Sequence, residues 1–224
     1  MKSFNYNYFI KTLDKKKFFL LKVYSTLIFQ IFIAFVILFY VENKNIELNK
    51  TQYIGVCIAT FIIIILLTFI QSKIIRFILL VIFSALVGLI LSAQVDLDNE
   101  KDLEIVKKSF VTTVFIFIYM IIFGFIAVYM GATISPVISI ILFFSLLLLI
   151  IMRFILSIRG NFSKYYKIFA GCVILLFSLF IIYDTVEILD REYNNDFIHA
   201  SADYFLDFIN IFSQLVELQF FQNN

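Results

Sequence analysis

Six stretches of the chain run for about twenty positions or more almost without charge, and short polar clusters part them. The stretches lie at about 18–41, 52–71, 75–95, 109–131, 135–158 and 165–189. The clusters between them read ENKNIELNK, QSKIIR, DLDNEKDLEIVKK, GATISP and RGNFSK. A helix needs about 20 apolar residues to cross a hydrocarbon layer about 30 Å thick. The pattern therefore predicts six membrane helices. The only proline, Pro136, stands near the start of the fifth, where a missing N–H costs little.

From about 197 to 221 the pattern changes. FIHASADYFLDFINIFSQLVELQFF is long enough to cross, but His199, Asp203, Asp207, Asn210, Gln214 and Glu217 recur at steps of three and four. They share one helical face, with Phe205, Phe208, Ile209, Phe212, Leu215 and Val216 opposite. A polar stripe in lipid turns inward, toward other helices or water. A helix lying flat in the interface would satisfy the same pattern. Periodicity alone leaves both open.

Composition sets the solvent. Of 224 residues, 62% are hydrophobic and 15% charged, with a mean hydropathy of +1.01, more apolar surface than a soluble globule can hide. A net charge of +2 gives no basic excess for nucleic acid. Lys11, Lys15, Lys16 and Lys17 precede the first span and favour a cytoplasmic N-terminus. The apolar run behind them is too long for a signal h-region. Arg153, Arg159, Lys164 and Lys167 fall on the far side of that assignment, which rests on the first helix. The predicted organisation is a cytoplasmic basic segment at 1–17, a seven-span domain at 18–221 and a tail at 222–224, with no linker, second domain or repeat. Trp is absent, so Tyr40, Tyr53, Tyr165, Tyr166 and Tyr183 supply the aromatic belt.

Few residues could carry chemistry. Cys57 and Cys172 each stand alone in an apolar run and read as packed thiols. The lone His199 has no helical His partner and no assigned acid. No nucleophile stands with a base and no glycine-rich phosphate loop occurs, so neither enzyme activity nor a cofactor or metal is expected. Ser84, Gly88 and Ser92 form a row of small residues suited to close helix packing. Lys22, Thr26 and Gln30 share a face of the first helix, and Lys22 can reach the interface. Thr112 and Thr113 are placed to bond back to their own helix. Two carboxylates stand out: Asp184 in FIIYDTVEIL and Asp207 in DYFLDFINIF. A charge at membrane depth costs about 2.5–3.5 kcal/mol or more. If the two meet, they share one proton rather than ionise together.

FIIYDT, followed by the motif YFLDFINIF whose Asp lies 23 residues beyond the first, resembles the C-terminal signature of the transmembrane Bax inhibitor motif family. FLLKVYSTLIFQ at 19–30 and GLILS at 88–92 are weaker echoes of its first and third helices. The resemblance implies a seven-helix, all-α multi-pass bundle with the last helix central. It also implies pH-sensitive calcium leak and suppression of cell death, with Asp184 and Asp207 as a proton-sensing latch. Some members carry an arginine near the end of the second helix that pairs with the sixth-helix aspartate. Here that neighbourhood reads IQSKIIR, leaving Lys73 or Arg76 to substitute. The fourth-to-fifth connection, often charged in members of that family, is uncharged here, and Asp203 adds an acid one turn before Asp207, where members commonly carry a neutral polar residue; Asn210 follows as an accessory polar residue.

The expected function is a pH-sensitive calcium leak gated by the Asp184–Asp207 pair, its partners being the bilayer and calcium ions. The rival is a non-conducting membrane protein that regulates stress or cell death by binding other membrane proteins. A proton-coupled transporter lacks the discontinuous helix pair it needs. The acids at 96–104 (Asp96, Asp98, Glu100, Asp102, Glu104) read as a solvated loop that could also gather cations. NKT at 49–51 and NFS at 161–163 are sequons on the expected far side. The membrane would be a bacterial inner membrane, or endoplasmic reticulum or Golgi in a eukaryotic or viral setting.

Overall fold

The computed structural model describes residues 6–93, 95, 99–133, 135–158, 162–190 and 196–223. Among them there are seven helices and no strand: α1 (Tyr6–Asn43), α2 (Lys50–Phe69), α3 (Lys73–Ser92), α4 (Glu100–Tyr129), α5 (Pro136–Ile158), α6 (Phe162–Asp190) and α7 (Phe197–Asn223). The first six have the length and hydropathy to cross a membrane. The chain is thus an all-α, multi-pass membrane protein. Asp96, Asp98, Arg159 and Asn161 of the second sequon lie outside the described residues.

The helix ends follow local chemistry. Asn49 and Gln52 close a capping box at the start of α2, the Asn49 side chain accepting from the Gln52 N–H at 2.9 Å and the Gln52 side chain from the Asn49 N–H at 3.0 Å. Asn45 adopts φ 49° just past α1, and Gly131 φ 87° just past α4. A left-handed residue lets the next N–H fold back on the helix, as Ala132 does onto the Ala127 carbonyl at 2.9 Å.

Two helices begin earlier than the apolar pattern. α1 starts at Tyr6, so the lysines at 11–17 are helical, and its 38 residues measure about 57 Å. α4 starts at Glu100, because the Asn99 side chain accepts from the Lys101 N–H at 3.1 Å and Glu100 and Asp102 suit a helix N-terminus. Glu100, Asp102 and Glu104 are therefore helical, not loop. Hydropathy marks where lipid begins; helical backbone continues past that line wherever caps and lysines favour it.

The chain forms two compact units. One comprises Met1–Lys17, Lys107–Asn194 and Leu206–Asn224, the other Phe18–Val106 and Asn195–Phe205. In the second, α3 lies against α1 through the row of small residues. Ser84, Gly88 and Ser92 are all buried, and a Cβ on Gly88 would stand 2.4 Å from the Ala34 carbonyl oxygen. Tyr24 of α1 stacks on Tyr204 at 5.9 Å, and Phe83 of α3 meets Phe205 edge-on at 5.6 Å. In the first unit Phe208 meets Phe110 and Phe117 of α4 edge-on, and Phe9 meets Tyr129.

No residue of α7 from Phe197 to Phe220 is exposed. Its first part, to Phe205, is covered within one unit and its remainder, from Leu206, within the other, and the flat interfacial alternative falls. α5 is the opposite: Leu142 is its only buried residue. Cys57 is half-buried and Cys172 exposed. The expectation of protein-packed thiols fails because lipid already supplies the apolar surroundings a thiol tolerates. Thr112 and Thr113 donate at 2.8 Å to the carbonyls one turn back, as their positions predict.

Candidate functional site

Asp184 sits on the last turns of α6 and Asp207 near the middle of α7, and both fall in the same compact unit. Their exposures are 8% and 4%. Carboxylates that deep in a membrane protein are held by neighbours or by a proton. Next to each of them along the chain stands a residue that touches α4.

On the α6 side, Thr185 follows Asp184 and is fully buried, its hydroxyl donating to the Ile181 carbonyl at 2.7 Å. That bond locks its rotamer. Gly124 of α4 faces it: a Cβ there would lie 2.5 Å from the Thr185 Cβ and 2.7 Å from its Cγ2. α4 and α6 thus touch backbone to side chain at the level of the aspartate. The sequence reading missed Gly124; its one signal is an isolated glycine inside an unbroken helical run. On the α7 side, Phe208 follows Asp207 and lies between the edges of Phe110 and Phe117, at 5.9 and 5.8 Å. Such aromatic contacts fix the rotation of α7 about its axis.

The rest of the polar stripe divides. Asn210 Nδ2 donates to the Leu206 carbonyl at 2.8 Å, within its own helix. Gln214 is buried. Glu217 Oε1 lies 3.6 Å from an Arg153 guanidinium nitrogen of α5, and Gln219 Nε2 donates to the Ser109 hydroxyl of α4 at 2.9 Å.

In the other unit, Lys73 is exposed. Arg76 forms an ion pair with Asp196, with side-chain exposures of 11% and 26%. Asp196 Oδ1 also accepts from the His199 N–H at 3.2 Å, capping the start of α7. The pair ties α3 to that start. Asp196 went unread in the sequence, although an aspartate three residues before His199 and just ahead of a helix is a cap signal. His199 does have an acidic neighbour, its Nε2 lying 3.5 Å from Asp203 Oδ2. On α1, Gln30 is 1% exposed, and neither atom of its amide has a hydrogen-bond partner among the described residues. Glu42 and Glu47 line a hollow of ≈ 560 Å³ with Asn45, Ser92 and Val95, another feature the sequence reading did not single out.

Among the described residues no three His, Cys, Asp or Glu side chains gather as a metal-binding group. What these residues offer is electrostatic: two buried carboxyl groups on helices that each touch α4. A family model described as inhibitor of apoptosis-promoting Bax1, Bax1-I, matches residues 16–224. None of the curated proteins compared with the chain matches it.

Proposed function

The chain belongs to the Bax1-I family, and from that premise we propose that it is a pH-sensitive leak for calcium ions whose gate is Asp184 and Asp207. One observation carries the reading: two deeply buried carboxylates stand on helices that pack against the same wall, α4, within one compact unit. A proton shared between the two carboxyls holds α6 and α7 together. Once it is lost, two like charges repel in a poorly screened setting and the helices separate. The sign is therefore fixed: acidity favours the closed pairing and rising pH favours separation. Glu42 and Glu47 would raise the local cation concentration at their hollow. In this reading the N-terminus is cytoplasmic, the chain is not an enzyme, and calcium is cargo rather than cofactor.

The test is calcium flux from the purified chain in liposomes across a pH series. Asp184→Asn and Asp207→Asn should each flatten the pH profile, and the double variant should add little, because the two act as one unit. Wild-type pH profiles in both single variants would overturn the gate. No flux at any pH would favour the non-conducting reading, in which the aspartates only fix packing.

A further inference from the structure

α5 carries one charge, Arg153, five residues before its end at Ile158. Around it Ile150, Phe154 and Ser157 recur at helical spacing and form a single stripe. The four line a groove of ≈ 420 Å³ on the outward side of the helix. Ile150 is 58% and Phe154 67% exposed, so the groove opens to lipid. Five residues of helix measure about 7.5 Å, which puts the guanidinium near headgroup depth. It is 49% exposed, lies 6.0 Å from the Phe169 ring centroid of α6, and stands 3.6 Å from Glu217, beyond good hydrogen-bond reach.

We propose that this groove binds an anionic phospholipid, with its phosphate on Arg153, its headgroup hydroxyls near Ser157 and an acyl chain over Ile150 and Phe154. The guanidinium fork matches a phosphate in shape and charge. The apolar pair lies beside the cation in the way a lipid's tail lies beside its headgroup. A headgroup with no cation of its own complements the one cation of α5; a zwitterionic headgroup brings its own ammonium to the same place. Phosphate and Glu217 compete for one guanidinium, so lipid occupancy loosens the tie between α5 and α7.

The full chain, purified in detergent, is mixed with phosphatidylglycerol, with phosphatidylcholine or with glycerol phosphate. Retained lipid is counted by native mass spectrometry and the melting temperature is followed. The wild type should retain phosphatidylglycerol over phosphatidylcholine and melt higher with it, and glycerol phosphate should do neither. Arg153→Gln should lower phosphatidylglycerol retention about tenfold, equivalent to about 1.4 kcal/mol. Glu217→Gln, which removes the competitor, should raise retention. Equal retention by wild type and Arg153→Gln would overturn the proposal and move the site elsewhere, for example to the lysines at the start of α1. Equal retention of the two lipids, or stabilisation by glycerol phosphate alone, would also overturn it. If Arg153→Gln does not fold, unchanged or lowered retention in Glu217→Gln overturns it independently.

Discussion

Replacing Gly124 with alanine adds one methyl group where α4 meets α6. The new Cβ would stand 2.5 Å from the Thr185 Cβ, 2.7 Å from its Cγ2 and 3.0 Å from its Oγ1. Carbon atoms rest at about 3.5–4.0 Å, so the helices must part by about 1–1.5 Å. Thr185 cannot rotate away, because its hydroxyl is bonded to the Ile181 carbonyl and its Cβ is fixed to the backbone. Overpacking of this kind costs about 1–3 kcal/mol. Alanine in a helix gains about 0.5–1 kcal/mol over glycine, which would mask part of the loss. Gly171 and Gly55 supply the control: a Cβ at either meets nothing within 4 Å. The predicted quantity is thus the difference between Gly124→Ala and Gly171→Ala, about 1–3 kcal/mol, or several degrees in melting temperature for a chain of this size. Thermal unfolding in detergent measures it. Gly88→Ala should behave like Gly124→Ala, since its Cβ would stand 2.4 Å from a backbone oxygen. Equal melting temperatures for all four alanine variants would refute the close packing of these helices.

Gln30→Leu should raise the melting temperature, because a buried amide without partners costs about 1–3 kcal/mol and leucine removes it; a fall would mean that water satisfies the amide. Asp196→Asn should destabilise by about 1–3 kcal/mol, less than a fully buried pair because Asp196 is 26% exposed, and a double-variant cycle with Arg76→Gln should show coupling above about 0.5 kcal/mol. Simple additivity in that cycle would show that the pair does not hold α7. Cysteine placed at Asn210 should react slowly with both aqueous and lipid-soluble maleimides, because α7 is covered on every side; fast labelling would restore the interfacial helix.

Six of the helices were legible because a helix that crosses lipid demands a long uncharged run, whereas a barrel strand, the other structure that satisfies its backbone there, needs only about ten alternating residues. The aspartates were legible for the converse reason: a charge in such a run is costly enough to be noticed. Which way α7 turned was not legible from periodicity, since its apolar face has the same spacing whether it meets lipid or Phe117. Gly124 and Gln30 were hidden differently. One is a residue whose meaning is the space it leaves for Thr185, the other a polar group whose meaning is the partner it lacks. Both are properties of a neighbour on another helix, and a linear pattern does not contain neighbours. Asp196 was hidden because its partner Arg76 lies 120 positions away.

The covering of α7 bears on how the protein is made. Its charges leave it outside the group of helices apolar enough to cross on their own. A ribosome delivers this segment after α1–α6, when the helices it packs against are already in the bilayer. Its insertion is then an assembly step rather than a partition into lipid, the sheath standing in for the oil. Chains halted before Phe197 should leave an unfilled sheath that quality-control proteases can recognise, and the same segment attached to a foreign leader should fail to integrate. Biogenesis, more than the folded state, is where substitutions at the residues that meet α7, such as Tyr24 and Phe83 in one unit and Phe110 and Phe117 in the other, would first be felt.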